Sequence, residues 1–315
     1  MGRFILRRIA GFVLTMLVAA AAIFLLLEVL PGDPAGTMLG VSATPETVAA
    51  LRTELGLDRP ALHRFFAWIG GLFTGDLGLS YTYRVPVGGL IAERIAVTLP
   101  LATMALALAA GIGITLGTLA VSRGSGPVDA AIMALSQLGI AIPNFWFGIL
   151  FVLLFSVTLG WFPSGGFPGW QADPAGAFRS LVLPAFALAL PQSAVLARMT
   201  RTSMLETLGE DFIRTARAKG LNRAQVLRRH ALRNALIPVI TILGLQFSFL
   251  VAGTIVVENV FALPGLGRLL VQAVGGHDLI LIKSLVLLFV GTVITVNTLV
   301  DLAYGLIDPR LRIAA

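Results

Sequence analysis

Cysteine is absent from the 315 residues, lysine occurs only at Lys219 and Lys283, and histidine only at His63, His230 and His277. Without thiols there can be no disulfide and no thiolate metal site, and three histidines scattered over three segments have no ligand spacing, so no metal is expected. Charge is scarce too: 12% of residues are charged and 57% hydrophobic, against about 25% and 45–50% in ordinary soluble domains. No G-x-x-x-x-G-K-[ST] loop is present to cradle a nucleotide phosphate, and H-E-x-x-H and G-x-S-x-G are also missing. The chain is therefore predicted to be no enzyme, with no catalytic residues, no cofactor of its own and no ATP hydrolysis by itself.

What remains is apolar sequence in long runs. Six stretches free of Asp, Glu, Lys and Arg are long enough to cross a bilayer: Ile9 to Leu27, Ile95 to Ser122, Ala130 to Ala172, Ser180 to Ala197, Asn234 to Val257 and Ser284 to Val300. They predict an all-α polytopic membrane protein with six transmembrane helices near 9–30, 98–121, 132–159, 180–200, 235–257 and 284–307. A barrel would need strands of about ten residues with alternating polarity, and no such alternation is seen. The basic start (Arg3, Arg7, Arg8) precedes 19 uncharged residues, too long for a signal-peptide core, and is read as a retained first helix. Gly113 and Gly117 form a small-xxx-small pair for close helix packing, and Pro143, Pro184, Pro191 and Pro238 interrupt their helices.

The positive charges orient the bundle. With both termini cytoplasmic, the segments 1–8, 122–131, 198–233 and 308–315 hold 15 of the 23 Lys and Arg, nine of them between Arg198 and Arg233. The sequence pI near 10.9 then records topology and contact with membrane lipid, and no nucleic-acid partner is expected. The outer segment 31–97 reads as a small helical appendage on the membrane surface. Pro31-Gly32-Asp33-Pro34 ends the first helix, Thr44 caps a helix begun by Pro45, and Gly75-Asp76-Leu77-Gly78 turns the chain.

Within the basic loop, Leu205, Leu208, Phe212 and Ala216 recur at helical spacing and continue inward from the fourth span. Gly220 stands where a helix should end, because glycine adopts the left-handed conformation without a Cβ clash. Asn222 and Gln225 make a capping pair for a second helix with an apolar stripe at Ala224, Leu227, Ala231 and Ala235. The prediction is a helix, a glycine corner, and a helix that runs into the fifth span.

Phe212-Ile213-Arg214-Thr215-Ala216-Arg217-Ala218-Lys219-Gly220-Leu221, followed by His230-Ala231-Leu232-Arg233-Asn234-Ala235-Leu236-Ile237-Pro238, resembles the coupling loop of ABC-importer permeases of the dipeptide/oligopeptide/nickel branch. Similar matches lie at Arg3-Phe4-Ile5-Leu6-Arg7-Arg8, Leu30 to Pro34, Gly75 to Gly78 with Ser80, Glu258-Asn259-Val260-Phe261, Pro264-Gly265-Leu266-Gly267 and Asp308-Pro309-Arg310. In place of the Glu-Ala-Ala of the wider family stands Arg214-Thr215-Ala216, so a contact made by that glutamate does not transfer.

The resemblance implies an ABC type-I permease core at 98–307 with its coupling loop at 201–234. It follows the first helix and periplasmic segment (1–97) and precedes a cytoplasmic tail (308–315). It implies a bacterial inner-membrane subunit working by alternating access on peptides or a related small solute; nickel, glutathione, opines and sugars stay open. The implied partners are a second homologous permease subunit (a heterodimer), two ABC ATPase subunits carrying ATP and Mg, and a periplasmic or lipid-anchored solute-binding protein. Phe212 and Ala216 would enter a groove on an ATPase while Arg214, Arg217 and Lys219 meet acidic residues around it, with Ala218, Gly220 and Leu221 completing the loop.

Asn144 and Glu258 are candidate pathway residues, and Asp301 is expected to pair with a neighbouring helix or with Arg310 or Arg312. The alternatives are an ion-coupled secondary transporter or channel, and a non-transporting scaffold. Against the first, the acids Glu28, Glu258 and Asp301 near the spans lie toward helix ends.

Overall fold

The computed structural model describes residues 2–29, 34–40, 43–124 and 126–307. The expected helix exit at Pro31 to Asp33 and the tail with Asp308, Pro309, Arg310 and Arg312 lie outside the described residues. Two compact units are formed, Met1–Val97 with Pro264–Ala315, and Thr98–Leu263.

The first unit contains α1 (Gly2–Val29), the short helices α2 (Pro34–Leu39), α3 (Pro45–Glu54) and α4 (Ala61–Thr74), and the start of α5 (Val87–Ser122). Its C-terminal part is α12 (Leu266–Gly275) and α13 (Leu279–Ile307). α1 and α13 pack antiparallel, since Arg8 pairs with Asp301, Met16 lies against Gly291, and Phe24 lies beside Lys283. Asp301 thus finds its partner on the first helix. As expected, Thr44 caps α3, in a capping box that Thr47 completes, and Gly75 and Gly78 turn the chain at positive φ.

The helices of segment 31–97 are more than a surface appendage. Trp68 of α4 is buried in a cluster with Ala20, Ile23, Phe24 and Leu287. Ser80 donates to Asp278 at 2.5 Å, and the same carboxylate accepts from the backbone N–H groups of Thr82 and Leu281. Asp278 therefore ties the turn after α4 to the N-terminus of α13. Burial pushes the neighbouring Tyr81 phenol up to about 12, with the Asp278 charge adding to the shift and Arg64 opposing it.

The second unit holds the rest of α5, then α6 (Pro127–Ala141), α7 (Asn144–Phe151) with a π-helical continuation (Val152–Thr158), and α8 (Pro174–Leu208). The loop helix α9 (Asp211–Ala218) follows. Next come α10 (Arg223–Gln225), a π turn (Val226–Ala231) and α11 (Leu232–Val260), which run on as one apolar helix over Arg223–Val260. α8 is the axis of this unit: α6, α7 and α11 all pack on it. It begins earlier than expected because Asp173 caps it, accepting from Gly176 N–H at 2.9 Å, with Pro174 at its first position.

Among the described residues, five helices are long and apolar enough to span a membrane; the sixth span, expected as one helix over 132–159, is a broken pair bent by 98° between Ala141 and Asn144. Pro143 lacks the N–H that would continue the ladder and drives Ile142 into extended conformation, φ −90° and ψ 125°. The prolines at 184, 191 and 238 stay inside continuous helices. Gly113 and Gly117 carry α5 onto α8: a Cβ on Gly113 would lie 2.6 Å from Leu196 Cβ, and one on Gly117 would lie 2.6 Å from the Ala197 carbonyl oxygen.

Candidate functional site

The loop between α8 and α11 forms the elbow. α8 stops at Gly209, and Glu210 begins α9 without a side-chain cap. α9 ends in the glycine corner: Gly220 has φ +81°, its N–H bonds the Arg217 carbonyl, and the Leu221 N–H reaches back to Ala216 at 3.3 Å. A β-branched side chain in this conformation is strained. Asn222 then accepts from Gln225 N–H at 2.9 Å while the Gln225 side chain accepts from Asn222 N–H at 3.0 Å, the reciprocal pair expected from the sequence.

The two faces of α9 differ from the expected arrangement. Ile213 and Ala216 are buried against Val226, with Leu208 and Leu221 alongside. Ala216 therefore faces the interior of its own subunit and is unavailable to a groove on another protein. The outward face carries Phe212, 43% exposed, together with Arg214, Arg217, Ala218, Lys219 and Gly220. Arg214 bonds Asp211 at 3.2 Å, an exposed pair of small energetic weight.

The π turn explains a second shift. One extra residue per turn moves the register, so Val226 and Leu227 are both buried while Ala224, expected in the apolar stripe, is exposed. Leu227, Ala231 and Ala235 pack with Val121 and Met204. A rigid seam thus runs from α9 through the π turn to α8 and α11.

The candidate pathway residues sit elsewhere. Asn144 opens α7 just after the 98° break, and its side-chain nitrogen lies so close to Gly253 of α11 that a Cβ there would be 2.9 Å away. Glu258, near the end of α11, is fully buried and accepts from Thr98 Oγ1 at 2.6 Å. It faces no open space in this conformation.

Sequence reasoning missed a polar pair that joins α6 to α8. Arg201 donates from Nε and Nη2 to the two oxygens of Asp129 at 2.6 and 2.7 Å. Asp129 lies in the first turn of α6, where a helix N-terminus favours an acid; that position was a visible signal, but its partner 72 residues away was not.

The sequence pattern described as "Binding-protein-dependent transport system inner membrane component" matches residues 88–313, and that of the N-terminal membrane component of such systems matches residues 1–102. A Brucella abortus (strain 2308) protein carrying the name of a peptide transport system permease is 47% identical over 308 residues, 98% of each chain. The glutathione transport system permease protein GsiC of Escherichia coli (strain K12) is 41% identical over 310 residues, again 98% of each chain. Among solved structures, an inward-facing MetNI methionine ABC transporter shares the fold with TM-score 0.56 and 21% identity, covering 70% of this chain and 96% of that one. An amino acid ABC transporter crystallised with histidines matches with TM-score 0.51 and 18% identity, covering 68% of this chain and 91% of that one. The chain belongs to the family of binding-protein-dependent transport system inner membrane components, as a multi-pass permease subunit of the bacterial inner membrane.

Proposed function

We propose that this chain forms part of the translocation pathway for peptides in an ATP-driven importer, and that partner ATPases drive it through the outward face of α9. The relatives named for peptide and glutathione transport support the substrate class. The observation that carries the mechanism is the two-faced α9. Ile213 and Ala216 fasten it to Val226 of the helix that becomes α11, while Phe212, Arg214, Arg217 and Lys219 face outward. A push on that face moves packed side chains at once, because a close-packed seam transmits strain.

In this reading two ATPase subunits hold ATP and Mg, a second homologous permease completes the pathway, and a solute-binding protein delivers cargo at the outer face. Both termini are cytoplasmic. Alternating access shifts the population between inward- and outward-open states, biased by the nucleotide state of the ATPases. Asn144, at the broken span, and Glu258, on separation from Thr98, are the pathway contacts. The carboxylates argue against an ion-coupled carrier: Glu28 is bonded to Arg64, Asp129 to Arg201, Glu258 to Thr98 and Asp301 to Arg8, so each is already satisfied within the protein.

The test is Gly220→Val in the assembled transporter. A β-branched residue at φ +81° costs about 1–2 kcal/mol and displaces the corner, so binding-protein-stimulated ATP hydrolysis and labelled dipeptide uptake should fall together. Unchanged stimulation would rule out the elbow as the coupling element. Phe212→Ala is expected to weaken ATPase-subunit binding by roughly tenfold or more, the usual loss for an exposed aromatic anchor, measured by co-purification.

A further inference from the structure

The corner formed by α1, α4 and α13 has the build of an amphiphile site. α4 runs down beside α1: Arg64 pairs with Glu28 at the end of the first span, Trp68 meets Phe24, and Ile69 and Leu72 pack into the cluster containing Ala20. From Glu28 to Ala20 is eight residues, so α4 descends roughly 12 Å below the end of the span. At 14 residues it is too short to cross a bilayer. Its far side nevertheless exposes Leu62 (72%) just before Arg64, and Phe66 (67%) and Phe73 (84%) below it, an apolar face that lipid chains would stabilise.

Between α1, α4 and the start of α13 lies a cavity of about 250 Å³, lined among others by Arg59, Arg64 and Lys283 against the acids Glu28 and Asp76. Cations exceed acids by one, and one of the acids, Glu28, is held by Arg64. The Lys283 ammonium lies 5.5 Å and 5.3 Å from the ring centroids of Phe24 and Trp68. Trp68 also lines the cavity; it is only 8% exposed, and its indole Nε1 is buried without a hydrogen-bond acceptor among the described residues. A buried donor of this kind calls for an oxygen that the described residues do not supply. A second, wholly apolar cleft of about 230 Å³ follows the same three helices, between Phe12 to Ala20 on α1, Ile69 to Phe73 on α4, and Leu287 on α13.

We infer that this corner binds an anionic phospholipid of the outer leaflet, with its phosphate beside Arg59, Arg64, Lys283 and the Trp68 indole and an acyl chain along the apolar cleft and the Leu62, Phe66 and Phe73 face. Charge and depth select the ligand: the cations stand at the level where α1 leaves the membrane, which is where headgroups lie. All of these residues belong to one compact unit.

The full chain, purified in detergent and exchanged into phosphatidylcholine nanodiscs doped with phosphatidylglycerol, should retain phosphatidylglycerol in native mass spectrometry. Arg59→Gln combined with Lys283→Gln should lower retention roughly tenfold, as loss of charge-assisted contacts predicts, while Lys283→Arg should keep it. Arg59 is on the surface, so Arg59→Gln alone preserves the fold and should give a smaller loss, and Phe66→Ser should reduce retention without altering charge. Equal retention by Arg59→Gln, by the double variant and by the parent protein would overturn the assignment. So would displacement of the lipid by millimolar inorganic phosphate, which would make this an anion site with no lipid specificity.

Discussion

Gly117→Leu is expected to prevent recovery of folded protein. A Cβ at this position would already lie 2.6 Å from both the Ala197 carbonyl oxygen and Thr200 Cβ, and part of that obstacle is backbone of α8. A flexible side chain could move aside; a helix backbone cannot. Adding one methylene to a packed interior costs about 1–3 kcal/mol, and leucine brings several atoms, so the penalty is a large share of the roughly 5–15 kcal/mol that holds a domain folded. The loss would reach beyond α5, because α6, α7 and α11 all rest on the same helix α8. Gly111 is the internal control: nothing lies within 4 Å of its Cβ position. Gly111→Leu should therefore give parental yields and thermal stability in size-exclusion chromatography after heating, while Gly117→Leu aggregates. Equal melting of the two variants would show that α5 and α8 do not approach closely.

Removing one member of the Asp129 and Arg201 pair should be the next most damaging change. The side chains are 12% and 28% exposed, and the two short bonds use both carboxylate oxygens. Asp129→Ala leaves a guanidinium half-buried without its acceptor, which costs about 3 kcal/mol. Arg201→Met leaves the carboxylate in the same position. The double replacement removes both charges together and should recover much of the loss, because the penalty comes from an uncompensated charge more than from missing attraction. A double-mutant cycle on thermal unfolding should therefore give strong coupling. Single variants within about 0.5 kcal/mol of the parent would place the pair among ordinary surface contacts.

Several local features were legible in the sequence because neighbouring residues encode them. Gly220 needs only its own missing Cβ, and the Asn222 and Gln225 box needs residues three apart. The Thr44 cap and the glycine turn at 75–78 are of the same kind. The break at Pro143 was visible as a proline; its angle of 98° was not, since the chain on either side bends to suit the packing of α6 and α7 on α8. Ala216 was misassigned for a related reason. A period of 3.6 identifies an apolar stripe, but it cannot say whether the stripe meets a partner protein or the same subunit, and the π turn at 226–231 changes the register of the facing helix.

By itself, the sequence determined that the chain is a bundle of membrane helices and that its charged loop turns at a glycine. Long charge-free runs can be satisfied in lipid only by helices that close their own hydrogen bonds, and a left-handed corner admits glycine without strain. Tertiary structure alone decided which face of α9 is free, that Asp129 meets Arg201, and that α4 packs beside the first span with Lys283 over its tryptophan. Those contacts join residues far apart in the chain, and their energies depend on burial and on the partner's position, neither of which any local stretch of residues specifies.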